Sequence, residues 1–305
     1  MTESELFAAI GRELTLDSSI ALKPVSLPPF KPDVGPYHKV QYVIELVGPQ
    51  FIQSSHAKAL LEAKAKSGLG DPEIYVTVPG QSRWMALWTG DDALAYDSLA
   101  FAWDLISEKG CLSSATASEL WKRAEEVAKP LSRRAIPLPP PDQVDSAAAN
   151  LQQIKAAFDI GIDLMIDAPY NTPLDTAAAV EAAYAVGFRL GASGLLEWKQ
   201  QGWQEPLLTI LPTDGDEIPI GGGLSGLTIG FSFATSPAPD GVLERLFSAA
   251  KEIASASGAR VTDSDGRLLS PELETELRSN LNAALDSFEA AGFQSGTSEA
   301  MRLFE

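Results

Sequence analysis

One run of eight residues limits what this chain can become. Leu227, Ile229, Phe231 and Phe233 alternate with Thr228, Gly230, Ser232 and Ala234. A period of two puts the large apolar side chains on one face of a strand and the small or polar ones on the other. Next, Val242, Leu243, Leu246, Phe247, Ala250 and Ile253 form an apolar stripe at helical spacing. Asp240 is the expected N-cap of that helix and Gly258 its stop. Residues 259–276 then read as a short strand, a turn at Asp265-Gly266, a second short strand, and a helix opened by Ser270 and Pro271. The order is strand, helix, hairpin, helix.

These residues resemble the C-terminal FtsZ-binding domain of the bacterial cell-division protein ZipA. Thr228, Ile229 and Phe231 precede the helix; Ala250, Ile253 and Ala254 lie within it; and the run from Gly258 to Leu273 includes Asp263, Gly266, Arg267, Leu269 and Pro271. The match is specific over this stretch and fades upstream, although the region from about Asp159 can be threaded onto the family. The closing LDSFEAAGFQSGTSEAMRLFE looks like the tail of the longer ZipA-like proteins of betaproteobacteria.

A pattern of the same kind occurs earlier. In SLAFAWDLI, Leu99, Phe101, Trp103 and Leu105 alternate with Ala100, Ala102 and Asp104. The strand QYVIELVG and a helix capped by Ser54 or Ser55 and stopped at Gly68 come before it. So do two strands, EIYVTV and RWMALW, turned at Pro79-Gly80. After it come a helix with Leu120, Trp121, Ala124 and Val127 on one side, a proline-limited edge strand in RRAIPLPPPDQ, and a helix striped by Val144, Leu151, Ile154 and Phe158. From Asp159 the order restarts. GIDLMIDA is a strand, Thr172 caps a helix with Pro173 at its first position and Gly187 as stop, and GLLEWK and PLLTIL are two middle strands. Pro49 pairs with Pro169, Gly68 with Gly187, Phe101 with Phe231 and Arg134 with Arg260. Two copies roughly 120 residues apart are too long for solenoid repeats and suit a duplicated domain.

The expected fold is therefore α+β: two tandem ZipA-like domains, each a mainly antiparallel sheet with helices packed on one face. The expected divisions are a proline-rich arm at 1–37, a first, divergent domain at 38–158, a second, FtsZ-binding domain at 159–293, and a tail at 294–305. In the arm, Leu6, Phe7, Ile10 and Leu14 suit a short amphipathic helix, and Pro24, Pro28, Pro29, Pro32 and Pro36 favour extended chain. Trp84, Trp88, Trp103 and Trp121 enrich the first copy in aromatics for packing.

Composition restricts the chemistry. With 23 Lys and Arg against 41 Asp and Glu, the net charge is −18. An acidic surface repels phosphates, so nucleic acid is not an expected partner. Cys111 is the only cysteine, which fits a reducing compartment. No run approaches the roughly 18 apolar residues of a membrane span, so a membrane enters only through an N-terminal anchor outside this sequence.

No catalytic set is visible. The two histidines, His38 and His56, stand apart, no Gly-x-Ser-x-Gly occurs, and one cysteine with two separated histidines does not make a zinc site. Asp263-Ser264-Asp265-Gly266 with Glu272 partly copies a calcium loop, but Val261 stands where the first carboxylate belongs. Gly221, Gly222, Gly223 and Gly226 lack the lysine and the following helix of a phosphate-binding loop. Asp91-Asp92 and Asp214-Asp216 fall in turns. No cofactor, no metal and no enzyme activity are expected.

The resemblance implies a sheet with one helix-free face, across which a shallow apolar groove takes the C-terminal tail peptide of FtsZ. Carried onto the second copy, the groove is floored by Thr228, Gly230 and Ser232 and flanked by Leu208, Ile210 and Trp198. Gly230 stands where the family has a large apolar side chain, which lowers the floor and removes a contact. The implied role is a cytoplasmic adaptor at the division septum, tethering or organising FtsZ. The alternatives are a soluble adaptor for a different peptide and an enzyme with a site between the copies.

Overall fold

The computed structural model describes residues 2–9, 20–28, 34–60, 66–87, 95–168, 172–200, 203, 205–213 and 224–304. The fold is α+β, and every strand pairing in its sheets is antiparallel. The chain divides into two compact units. One comprises residues 31–157 with 301–305, here the first unit; the other comprises residues 1–30 with 158–300, the second. Of the N-terminal stretch, the described residues 2–9 and 20–28 group with the second unit.

The first unit holds a five-stranded sheet in the order Trp84–Ala86, Glu73–Thr77, Ser98–Asp104, Gln41–Val47, Arg134–Leu138. The second holds six strands in the order Arg189–Leu190, Leu196–Trp198, Leu208–Pro212, Gly226–Ser232, Gly161–Asp167, Arg260–Thr262. Both contain one four-strand plan: the first strand lies between the third and the fourth, and the second flanks the third. This is the split β-α-β-β-α-β arrangement. The outer strands differ. In the first unit the extra strand Trp84–Ala86 follows the strand that touches the centre, whereas in the second Leu196–Trp198 precedes it. The two hairpins are thus not equivalent in chain order.

The ladders fix the internal correspondence. Val47 pairs with Arg134 and Asp167 with Arg260, so the two arginines share a place. Ile44 pairs with Phe101 and Leu164 with Ile229, which makes Ile229 the counterpart of Phe101, two residues before Phe231. The face is unchanged by this shift, because the side-chain period is two.

Helices cover the face that carries the large side chains. In the second unit Leu227 and Ile229 are fully buried, as are Val242, Leu246 and Ile253 of the helix Pro239–Ser257. That helix begins with Pro239 at its first position after Ala238; Asp240 lies in its first turn and is not the cap. Gly258 ends it at φ 65°, donating to the Ala254 carbonyl. Ser270 caps Pro271–Ala290 by accepting from the Leu273 amide at 3.3 Å. The helix expected from Thr172 starts at Thr176 with Asp175 as cap, because Leu174 is engaged in a bridge to Leu224. Gly68 lies inside a helical turn, Lys66–Leu69, and the stop is Gly70 at φ 72°.

Four phenylalanines close the second core. The Phe288 ring lies 5.1 Å from Phe158, 5.8 Å from Phe233 and 5.6 Å from Phe293. The helix Glu3–Ala9 adds Leu6 and Phe7, the latter edge-on to Tyr184 at 4.8 Å; Ile10 and Leu14 lie outside the described residues. No helix among the described residues is long and apolar enough to cross a membrane.

Phe288 is 1% exposed and touches three other rings. Truncation leaves a cavity that this cluster cannot collapse, so Phe288→Ala is expected to cost roughly 3–5 kcal/mol in denaturant unfolding.

Candidate functional site

The helix-free face of the second sheet is set by strand parity. Ile210 pairs with Ile229, and Thr209 with Gly230. Leu208 and Ile210 are therefore on the helix side, 0% exposed. Trp198 pairs with Leu208 and shares that side, with the Arg245 guanidinium 4.9 Å from its ring. These three residues do not flank a groove over Thr228, Gly230 and Ser232. The strand PLLTIL is apolar at both parities, and only Thr209 marks the side that faces away from the helices. The residues beside Thr228, Gly230 and Ser232 are Thr209 and Leu211 on one side and Asp163 and Met165 on the other. Glu197, paired with Thr209, continues the row. Thr228, Ser232, Thr209, Leu211 and Met165 are all partly exposed. The alternation in GIDLMIDA, with Ile162, Leu164 and Ile166 against Asp163 and Met165, carries the signal that finds the last two.

Gly230 is buried although it lies on the face opposite Ile229 and Ile210. The cause is Asp163, its cross-strand partner, whose carboxyl lies over it. A Cβ at 230 would clash with that carboxyl and meet the Ile162 carbonyl at 2.9 Å; one at Gly161 would stand 3.2 Å from Asp163 Oδ2. Two glycines on this face thus make room for one acid. Asp163 counts among the exposed residues as a whole, yet its carboxyl is pressed onto the strands, and this burial raises its pKa. The floor that the sequence leaves empty is filled by a polar group from the neighbouring strand.

The first unit treats the same positions differently. Through the ladders, Val43 stands where Asp163 does, Ala102 where Gly230 does, Ala100 where Thr228 does and Tyr75 where Leu211 does. Val43, Ala100, Ala102 and Tyr75 form an apolar cluster, each at most 5% exposed, on which Val34 and Trp84 pack. Its cover is the chain's own segment. Gly35 and Pro36 are buried, and a Cβ on Gly35 would stand 2.8 Å from Tyr75 Oη.

A polar cluster ends this face. Arg302 Nε donates to Asp104 Oδ1 at 2.6 Å, and its Nη2 lies 3.0 Å from Glu73 Oε2. Gln41 Nε2 and Tyr75 Oη donate to the same Glu73 oxygen at 2.9 and 2.6 Å. Gln41 Oε1 accepts from the Tyr37 amide, and the guanidinium stands 5.6 Å from the Tyr37 ring. Burial works to raise the Glu73 pKa, but the two hydrogen bonds and the Arg302 charge outweigh it and hold the carboxyl below its usual range.

Among the described residues no group of three His, Cys, Asp or Glu side chains could hold a metal ion. Asp263 is committed to its own turn, accepting from the amides of Asp265 and Arg267 and from Arg267 Nε. Gly266 holds φ 77° in that turn. Cys111 is exposed in a short hairpin, and His38 Nε2 faces Glu45 at 3.6 Å. Gly221, Gly222, Gly223, Asp91, Asp92, Asp214, Asp216 and Trp88 lie outside the described residues. No protein-family model and no curated protein matches the chain.

The raised pKa of Asp163 predicts a pH signature. An acid whose folded pKa is raised disfavours folding when ionised, and the penalty vanishes once it is protonated in both states. Asp163→Asn is expected to raise Tm at pH 7, with the difference from the parent closing by about pH 3, below the ordinary Asp value.

Proposed function

We propose that the chain is a non-catalytic adaptor that binds an extended peptide on the helix-free face of the second sheet. The leading partner is the C-terminal tail of FtsZ, and the corresponding place of action is the cytoplasmic face of the division septum. The observation that carries this reading is the row Thr209, Leu211, Thr228 and Met165, partly exposed across three neighbouring strands on the side opposite Ile210 and Ile229. Antiparallel sheets tolerate one solvated face, and such a face offers a flat seat for an extended segment. The choice of FtsZ comes from the resemblance of residues 228–273 to the ZipA domain.

One observation favours a second reading, an adaptor for another peptide. Asp163 stands over Gly230 at the middle of the floor. A carboxylate there selects against acidic side chains and favours a basic one above it.

The test is a calorimetric titration of a peptide matching the FtsZ C-terminus into the full chain and into Met165→Glu. A Kd in the micromolar range, weakened at least ~10-fold by the substitution, supports the FtsZ reading; tenfold corresponds to about 1.4 kcal/mol. No binding of the FtsZ peptide, together with binding of a basic apolar peptide that Met165→Glu alters, would move the assignment to the second reading.

A further inference from the structure

We propose that the face of the first unit's sheet carrying Val43, Ala100 and Ala102 is a docking groove for an extended apolar peptide, and that residues 34–37 of the chain fill it in cis. The floor is made of small residues. Along Ser98–Asp104 the helix side carries Leu99, Phe101 and Trp103, whereas the other side carries Ala100 and Ala102. These alanines and Val43 are at most 1% exposed, and Val34 and Trp84 pack on them. What removes them from water is Tyr75 and Trp84 at the side and Val34 from above. Gly35 passes so close to the Tyr75 hydroxyl that a side chain would not fit. The groove is thus shaped to accept backbone at one point and a β-branched side chain at the next.

The cover is attached like a ligand and not like a strand. Residues 34–36 form no strand with the sheet. Among the segment's contacts are the Val34 packing, the Tyr37 amide on Gln41 Oε1 at 2.9 Å, the Arg302 guanidinium over the Tyr37 ring, and the Tyr37 carbonyl, which accepts from the Val40 and Gln41 amides at 3.0 and 2.8 Å. It can leave without breaking a ladder. Nor does it use the whole face: Ile136 and Leu138, on the same side of the edge strand, are 41% and 39% exposed. A longer peptide would cover them as well.

The cis segment also states the chemistry of the partner. It reads Val34, Gly35, Pro36, Tyr37, His38, with His38 3.6 Å from Glu45. The groove therefore suits an extended segment with a β-branched residue, a glycine-proline step, an aromatic ring for the Arg302 face and a base for Glu45. Such a partner competes against a tethered copy, whose effective concentration is in the millimolar range. The first face is closed until a partner outbids that tether. This inference does not draw on the second sheet, and failure of FtsZ-peptide binding leaves it standing.

The probe is a fluorescein-labelled synthetic peptide with the sequence of residues 32–40, read by anisotropy against the full chain. The parent is compared with Val34→Asp/Gly35→Val, which puts a carboxylate over the alanines and a side chain against Tyr75. The expected result is at least ~10-fold tighter binding by the double variant, lost again when Ala102→Glu is added in a protein that keeps its cooperative unfolding transition; cis competition at millimolar effective concentration sets that scale. A double variant with an intact unfolding transition that binds no better than the parent would overturn the proposal. So would a gain that survives Ala102→Glu, or concentration-dependent dimers in sedimentation, which would assign the segment to exchange between copies. Should the double variant fail to fold, Gly35→Ala, whose single methyl meets Tyr75, decides by the same comparison.

Discussion

A sheet that carries its helices on one side has a second face, and some other device must deal with it. That constraint governs both units. The long central strands, Ser98–Asp104 and Gly226–Ser232, spend their large side chains on the helix side and keep small ones for the other. In the first unit the small side is apolar and would be costly to leave wet, and a loop of the same chain lies on it. In the second it is built from Thr, Gly and Ser, and one carboxyl, that of Asp163, occupies the deepest point. The same geometry is kept dry by an apolar cover in one case and made tolerant of water in the other.

Much of this was legible in the chain. The alternation in LTIGFSFA fixed which side of that strand is buried, and it could do so because the large residues fall at one parity only. The stripe from Val242 to Ile253, the Gly258 stop and the Ser270 cap likewise follow from local rules. PLLTIL was not legible in the same way: apolar residues at both parities leave the face undetermined, and tertiary pairing with Ile229 decides it. This is why Leu208, Ile210 and Trp198 belong to the core and not beside Thr228. The filled floor at Gly230 was hidden for another reason. A glycine signals space but not its occupant, and Asp163 comes from a strand 67 residues earlier, across a ladder whose register no local pattern specifies. The cover over Ala100 and Ala102 was equally silent, since Val34 reads locally as proline-rich linker.

In a chain with net charge −18, arginine is used sparingly and at fixed points. Arg133 is buried and donates to the Leu46 carbonyl at 2.8 Å and to the Gln50 carbonyl at 2.7 Å, holding the turn after the first strand. Arg245 is buried against Trp198 and donates to the Val186 carbonyl, at the end of the helix Thr176–Ala185. Burial lowers the pKa of both. Each uses its charge on backbone carbonyls left over at turns and helix ends, which suits the forked geometry of the guanidinium.

Arg302 differs from these in where it lies along the chain, and that has a consequence in time. It bonds Asp104, 198 residues earlier, while Tyr184 of the second unit donates to Glu3, 181 residues before it. Each unit is therefore completed by a segment distant in synthesis. At roughly 5–20 residues per second, Asp104 leaves the ribosome some ten to forty seconds before its cation exists. During that interval Glu73 and Asp104 face each other without Arg302, and the first sheet is present but unfinished. A chain halted before residue 302 would already carry the strands of the first sheet, yet Glu73 and Asp104 would still lack the arginine that joins them.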